Sequence, residues 1–136
     1  MAKQADFDVT GALDGDVLVV RFSGRSTTEN ARAMARRYFD VVLASGQKKI
    51  LADLRSLNGR LSTGETYFLI RDLPVKPTPR GIKTAILESE DQSRFALFLE
   101  TTANNAGLGI KCFFDREKAL AWLQSPEFPP GRGAAV

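Results

Sequence analysis

Histidine is absent from this chain of 136 residues, and cysteine occurs once, as Cys112. Without histidine, no imidazole is available as a general base, as part of a Ser-His-Asp or Cys-His arrangement, or as the commonest transition-metal ligand. A single cysteine excludes an intramolecular disulfide and a four-cysteine zinc site. The sequence therefore predicts a protein with no metal site and no cofactor, in a reducing compartment such as the cytoplasm.

The chain also lacks a long uncharged hydrophobic run. Its first residues, Met-Ala-Lys-Gln-Ala-Asp, contain no apolar segment typical of a signal peptide. No run approaches the roughly 20 apolar residues that a membrane-spanning helix needs. We therefore expect a cytoplasmic protein that is neither secreted through a signal peptide nor integral to a membrane, with peripheral association at a membrane surface left open.

The remaining composition is average, with 43% hydrophobic and 26% charged residues. That is enough apolar material for one domain with a packed core. The formal net charge is only +3 and the basic residues are mixed with acidic ones, which argues against a nucleic-acid partner. We predict a single domain over residues 1–124, followed by a loose tail at 125–136 that is rich in proline, glycine and alanine.

Hydrophobic periodicity and turn residues predict the element order β-β-α-β-α-β-α-β-α. Apolar alternation on both sides of Asp14-Gly15 indicates an antiparallel hairpin. The segments that begin at Ser26, Ser62 and Ser89 have the Ser-x-x-Glu or Ser-x-x-Gln pattern of a capping box at a helix start. Strands that alternate with helices predict parallel pairing. The predicted fold is an α/β mixed sheet with an opening antiparallel hairpin, then alternating parallel strands and helices. The predicted strands cover 7–13, 16–22, 49–54, 82–87 and 110–114, and the predicted helices cover 27–44, 62–72, 89–106 and a short segment after Asp115, with a proline-containing loop at 74–81.

Several local strings in this order resemble the STAS domain (sulfate transporter and anti-sigma factor antagonist). They are Lys-Ile-Leu-Ala-Asp-Leu-Arg at 49–55, Lys-Thr-Ala-Ile-Leu at 83–87, and Phe-Phe-Asp at 113–115 with Ala119, Trp122 and Leu123 behind it. The chain is similar in particular to the SpoIIAA-like branch of small stand-alone bacterial proteins. This resemblance implies the SpoIIAA-like fold.

The resemblance also points to one serine. In phosphoregulated antagonists of this fold, a phosphorylatable serine follows the strand-ending Asp-Leu at a helix start, in a pattern resembling Asp-Ser-Ser-Gly. Here Asp53-Leu54 is followed by Leu61-Ser62-Thr63-Gly64, with leucine in place of the aspartate. Ser62 and Thr63 are therefore candidate regulatory residues of an interaction regulator akin to an anti-sigma factor antagonist, with a protein partner. The alternative is that Ser62 is an ordinary helix cap.

Two predicted helices carry consecutive apolar residues, Tyr-Phe-Leu-Ile at 67–70 and Phe-Ala-Leu-Phe-Leu at 95–99. Because successive helical residues are about 100° apart, such runs encircle a helix and need cover on more than one side. That cover is a neighbouring helix, a second copy in a homodimer, or an apolar ligand or membrane surface. The candidate ligand-binding residues are Tyr67, Phe68, Leu69, Arg71, Phe95, Leu97 and Phe98.

The resemblance favours a ligand, because SpoIIAA-like proteins are similar in topology to the lipid-carrying CRAL-TRIO fold. It implies a lipid-like ligand between these helices, with Arg71, Lys76 and Arg80 near an anionic head group. Since α/β sheets bind ligands outside the carboxyl ends of their strands, we expect a site near that rim. The predicted rim residues are Leu54, Ser62, Thr63, Leu87 and Ser89.

Catalysis is not predicted. The carboxylates of Asp53, Asp72 and Glu88 are not paired by spacing, and Asp53 at a strand end is typical of a loop-ordering group. Cys112 lies on a predicted buried strand and is expected to be an inert core thiol. Trp122 is at helical spacing and is expected to anchor the core. The sequence therefore predicts a non-enzymatic binding module for an apolar or amphipathic small ligand.

Overall fold

The computed structural model describes residues 7–73 and 81–127, and the predicted order of elements is confirmed. Residues 74–80 of the predicted loop and 128–136 of the predicted tail lie outside the described residues. A turn of 3-10 helix, Glu90–Gln92, directly precedes the third α-helix. The elements are β1 (Phe7–Asp14), β2 (Val17–Arg25), α1 (Ala31–Ser45), β3 (Lys49–Asn58), α2 (Thr63–Asp72), β4 (Lys83–Leu87), α3 (Ser93–Asn105), β5 (Ile110–Phe113) and α4 (Arg116–Gln124).

The five strands form one mixed sheet in the order β1-β2-β3-β4-β5. β1 and β2 pair antiparallel, with Asp14 opposite Val17, across a turn in which Gly15 has a φ of 64°. That left-handed backbone is accessible to glycine without steric cost. The three other pairings are parallel. The predicted antiparallel opening and parallel continuation are both confirmed.

The sequential strand order places three helices on one face of the sheet. Connections between parallel strands are right-handed, and each of these steps to the next strand in the same direction, so α1, α2 and α3 fall on the same side. Met34 of α1, Ile70 of α2 and Ala103 of α3 pack there in one core with Ile50 and Ile86 of the sheet. The opposite face is covered by α4, which begins after the last strand. The core on that face consists of Val17, Val19, Leu51, Ala85, Leu87, Ala119, Trp122 and Leu123.

Of the three predicted capping boxes, only the one at Ser62 forms. The Glu65 N–H donates to Ser62 Oγ at 3.2 Å, and the Ser62 N–H donates to Glu65 Oε1 at 2.9 Å. At Ser26 the prediction is wrong, because the Ser26 N–H already donates to the Asn58 carbonyl at 2.9 Å. Thr27 and Asn30 instead bond reciprocally through their side chains, and α1 begins at Ala31.

The prediction at Ser89 is also wrong. Its side chain makes no capping hydrogen bond, and the chain first forms the 3-10 turn. The Ser89 N–H donates to Glu88 Oε1 at 2.8 Å, so the preceding carboxylate takes the donor that a capping box would give to Gln92. α3 therefore begins at Ser93, four residues later than predicted.

The neighbouring strands β2 and β3 are both longer than predicted. β2 continues past Phe22 to Arg25, and β3 continues past Leu54 to Asn58. Arg25 pairs with Asn58, after an irregularity between Arg21 and Ser23. The polar residues at these ends indicated loops in the sequence, but each strand gives the other a hydrogen-bonding partner, which outweighs their low strand propensity.

Candidate functional site

A cavity of about 360 Å³ lies between the layer of α1, α2 and α3 and the sheet beneath it. Aliphatic and aromatic side chains form most of its wall. Leu43 belongs to the wall and is 53% exposed, so the cavity reaches the surface beside α1. Representative lining side chains are Phe22, Met34, Ala35, Leu54, Leu69 and Phe95.

The cavity exists because α1 and α2 stand apart. α2 packs against α3, and α1 packs against β1 and β2, whereas α1 and α2 make no extended backbone contact in the described part of the chain. Two polar contacts cross the gap. The Thr28 hydroxyl donates to Glu65, and Arg32 approaches Asp72 with an N–O distance of 3.9 Å. The interior of the gap is left to apolar side chains.

One charged side chain, Arg60, belongs to the described wall of the cavity. It lies in the loop between β3 and α2 and forms an ion pair with Glu88, directly after β4. Arg60 Nε is 2.8 Å from Glu88 Oε2, and a terminal guanidinium nitrogen is 2.7 Å from Oε1. Both side chains are buried, with exposed fractions of 7% and 0%. The two parallel bonds give the fork geometry in which arginine binds carboxylates most strongly.

The remaining donors of Arg60 bind backbone carbonyls. Nη1 donates to Leu57 at 2.9 Å and to Gly59 at 2.8 Å, and Nη2 donates to Leu54 at 3.0 Å. A guanidinium has five N–H groups, and all five are now accounted for. The side chain therefore fastens the end of β3, the following turn and the end of β4 to one another.

The pairing of Arg60 with Glu88 is the feature that sequence reasoning missed. In the sequence, no spacing typical of paired groups assigns a partner to the Glu88 carboxylate. The two residues are separated by 28 positions in the chain and meet because β3 and β4 are neighbours in the sheet. An arginine shortly after one strand and a glutamate directly after the next was the available signal.

The other polar side chains of the wall are hydroxyls. The Tyr38 hydroxyl has the Thr84 hydroxyl as its hydrogen-bond partner. Burial raises the pKa of Tyr38 to about 12, although the bond with Thr84 acts in the opposite direction. Ser26 is half-buried and completes the set. Among the described residues, no buried side-chain nitrogen or oxygen lacks a hydrogen-bond partner.

The structure divides the predicted ligand-binding residues between the cavity and the outer surface. Leu69 and Phe95 line the cavity, and the Arg60 guanidinium lies 5.9 Å from the centre of the Phe95 ring. Phe98 is half-buried outside the described cavity wall. Tyr67, Phe68 and Leu97 are about half exposed, at 48%, 52% and 56%.

Arg71, the predicted partner of an anionic head group, lies on the outer side of α2. Its guanidinium is 4.7 Å from the centre of the Phe68 ring, and Nε donates to Asp72 at 3.0 Å. It does not belong to the cavity wall. Lys76 and Arg80, the other two residues predicted for this role, lie outside the described residues.

The candidate regulatory residues Ser62 and Thr63 are exposed at the start of α2. Glu65 accepts hydrogen bonds from the Thr28 hydroxyl and from the Ser62 N–H, and these bonds lower the pKa of the Glu65 carboxyl. The start of α2 is thus held by a set of hydrogen bonds around Glu65.

The predicted rim residues lie near the carboxyl ends of β3 and β4, where α2 and the 3-10 turn begin, but only one of them belongs to the cavity wall. Leu54 lines the cavity, whereas Ser62, Thr63, Leu87 and Ser89 do not. Ligands bind at the carboxyl rim where the strand order reverses and two connections diverge. Here the order is sequential, so the connections of the described chain do not diverge at any point along the sheet. Open space is found instead under the helices.

Each of the carboxylates considered for catalysis is held by arginine. Glu88 binds Arg60, Asp72 binds Arg71, and Asp53 receives two bonds of 3.0 Å from the Arg55 side chain. Burial alone would raise the pKa of Asp53, but the bonds from the Arg55 side chain and backbone, with the charges of Arg55 and Arg21, outweigh it and hold that pKa below its ordinary value. These carboxylates are ion-pair anchors.

Cys112 is half-buried on β5, and its thiol donates to the Ala96 carbonyl at 3.1 Å. Burial and the nearby carboxylates of Glu100 and Glu88 raise the pKa of the thiol, which keeps it protonated and a poor nucleophile. The described residues contain no group of three or more His, Cys, Asp or Glu side chains that could hold a metal ion. No helix in the described ranges has the length and hydropathy to cross a membrane.

Solved structures with this architecture include the following two. An anti-sigma factor antagonist from Mycobacterium paratuberculosis superposes with a TM-score of 0.60 at 15% identity, over 88% of this chain and 95% of that chain. An uncharacterised protein with a SpoIIAA-like fold from Shewanella loihica PV-4 superposes with a TM-score of 0.55 at 23% identity, over 90% of this chain and 98% of that chain. No family model and no curated protein matches the sequence.

These neighbours define the class of the domain. The chain has the SpoIIAA-like fold of STAS domains, and the resemblance drawn from the local strings is confirmed at the level of fold. Identities of this size show the architecture and leave the function to be argued from the chain itself.

Proposed function

We propose that this protein is a non-enzymatic module that binds an apolar or amphipathic, lipid-like small molecule in the cavity under α1, α2 and α3. The observation that carries the proposal is the cavity itself, about 360 Å³ of space with a mainly apolar wall. Protein interiors have few voids larger than a water molecule, whereas ligand pockets occupy roughly 300–1,000 Å³. A space of this size that also reaches the surface is typical of a binding site.

The outer face of α2 supports an extension of this proposal to transient contact with a membrane surface. Tyr67 and Phe68 are half exposed, and the Arg71 guanidinium is stacked on Phe68. Aromatic rings beside a cation suit the interface between lipid tails and anionic head groups. A lipid-like ligand would enter the cavity from such a surface.

A substitution that fills part of the cavity tests whether the ligand binds there. Ala35 is a half-buried wall residue on α1, and we expect Ala35→Leu to weaken binding of 1-decanol and of decanoate by at least about tenfold, because the added side chain takes space that the ligand needs. The variant should remain folded, since filling a cavity commonly stabilises a protein by about 0.5–2 kcal/mol. Isothermal titration calorimetry measures the affinity, and thermal unfolding measures the stability.

The matched control is Ala44→Leu, the same substitution at an exposed position of the same helix outside the cavity wall. It should bind both probes with the affinity of the unaltered chain. If Ala35→Leu and Ala44→Leu bind the probes with equal affinity, the probes bind outside this cavity. If the unaltered chain binds neither 1-decanol nor decanoate, the proposal is refuted.

A second candidate function is regulation of a protein partner, in the manner of an anti-sigma factor antagonist. The fold shared with one such antagonist supports it coarsely, and the exposed hydroxyl of Ser62 at the α2 N-terminus supports a phosphorylation site. The helix dipole favours a phosphate there. The Glu65 carboxylate, which accepts the Ser62 N–H, would repel it and open the capping box.

This candidate predicts a phosphate on Ser62 or Thr63 in protein purified from its native cells. Mass spectrometry should find that modification and leave Ser93, an exposed serine at the start of α3, unmodified. Ser62→Asp should also change the set of captured partner proteins relative to Ser62→Ala. An unmodified segment, together with identical partner sets for the two variants, would remove this candidate.

A further inference from the structure

The described part of the cavity wall offers a ligand no uncompensated charge. Arg60 is the one charged residue of the described wall, and its charge is compensated by Glu88 through two bonds of 2.7 and 2.8 Å. The other three N–H groups of Arg60 donate to backbone carbonyls. An incoming anion therefore meets a guanidinium whose donors are all in use.

Binding an anion at Arg60 would require Glu88 to give up its partner. Glu88 is completely buried, and its other described hydrogen bond comes from the Ser89 N–H. A buried carboxylate that loses its counter-ion is strongly destabilised, and the ligand's own charge would also lose its hydration. If the anion replaced Glu88 at Arg60, one ion pair would form and another would break. Nothing would then compensate the free energy that the anion loses with its hydration.

The described wall also offers no free carboxylate to a cationic ligand. The described wall of the cavity includes no aspartate or glutamate, and Glu88 behind it is held by Arg60. The remaining polar side chains of the wall are the hydroxyls of Ser26, Tyr38 and Thr84. Hydroxyls are uncharged donors and acceptors, and they suit an alcohol, ether or carbonyl oxygen.

The volume sets the size of the ligand. An apolar cavity of about 150 Å³ holds one benzene molecule, so about 360 Å³ corresponds to roughly 14 carbon atoms at the same density. The cavity therefore fits a medium-length alkyl or isoprenoid chain or a two-ring hydrocarbon, and it is too small for a complete phospholipid.

We infer that the cavity selects the electrically neutral, hydrocarbon-rich part of a small molecule of roughly 14 carbons or fewer, and that it discriminates against carboxylates and amines of the same chain length. This inference rests on the proposed binding function. It differs from the expectation that Arg71 receives an anionic head group within the site, because Arg71 does not belong to the cavity wall and every N–H group of Arg60 is already in use.

The test compares three probes with the same chain and different charge: 1-decanol, decanoate and decylammonium. At about pH 8, isothermal titration calorimetry should give decanol an affinity at least about tenfold higher than either ion, since burying an uncompensated charge costs several kcal/mol. Ala35→Leu should weaken decanol binding by at least about tenfold and Ala44→Leu should leave it unchanged, which assigns the binding to this cavity.

A change of pH separates charge from shape. Lowering the pH from about 8 to about 5 protonates part of the decanoate, and its apparent affinity should rise towards that of decanol while the decanol affinity stays constant. Decanoate that binds as tightly as decanol at about pH 8 would overturn the inference and leave the proposed function standing. If none of the three probes binds, the proposed function itself fails.

Discussion

The substitution Arg60→Met is expected to destabilise the fold by about 3–5 kcal/mol, the usual cost of breaking a buried ion pair from one side. Methionine is similar in length but leaves Glu88 buried without its counter-ion, and three backbone carbonyls lose their donor. Chemical denaturation should show a lower midpoint with an unchanged slope, which reports a loss of stability rather than a change in the surface exposed.

Two further variants test whether the loss of stability comes from the buried ion pair. Arg116→Met breaks the pair between Arg116 and Asp14, a contact of 2.9 Å in which the side chains are 35% and 59% exposed, and it should cost at most about 1 kcal/mol. The double variant Arg60→Met, Glu88→Met should recover part of the stability, because no unpaired charge remains in the core. Equal losses for Arg60→Met and Arg116→Met would contradict the role assigned to the buried pair.

The second large effect is expected on the opposite face of the sheet. Trp122→Ala should cost about 3–5 kcal/mol, the range for truncating a buried aromatic side chain. Trp122 is 6% exposed and packs against Phe113 with 5.6 Å between ring centres, and Lys83 Nζ lies 4.5 Å from its ring centre. Calorimetric unfolding measures the loss.

The location of Trp122 makes this variant informative about function as well. α4 lies across the sheet from the cavity, so the folded fraction of Trp122→Ala should bind 1-decanol with unchanged affinity. Lys118→Ala, at an exposed position of the same helix, should stay within about 0.5 kcal/mol of the unaltered chain. Loss of decanol binding by folded Trp122→Ala would show that the two faces of the sheet are coupled.

The sequence was sufficient for the order and type of the elements because each depends on neighbouring residues. Asp14-Gly15 defines the hairpin, and Ser62 with Glu65 defines the start of α2. The boxes expected at Ser26 and Ser89 depend on the same pattern, and they fail because Asn58 and Glu88 take the required donors. Those competitors belong to other elements or to a strand end, which local patterns do not describe.

The cavity could not be predicted from the same patterns. Runs of apolar residues at 67–70 and 95–99 indicate that two helices need extra cover, but they do not give the distance between α1 and α2. Within those runs Leu69 and Phe95 face the cavity while Phe68 and Leu97 face solvent. That division depends on the rotation of each helix about its axis, which is settled by packing against the sheet and the adjacent helix.

The sequential order of the strands has a consequence for how the chain folds. Each strand hydrogen-bonds to the strand that precedes it in the chain, so each pairing in the described sheet closes one hairpin or one helix-containing loop. Low sequence separation between contacting segments reduces the entropy lost before contacts form and is associated with fast folding. A chain emerging from the ribosome can therefore add one strand and one helix at a time, and its α4 face is completed last.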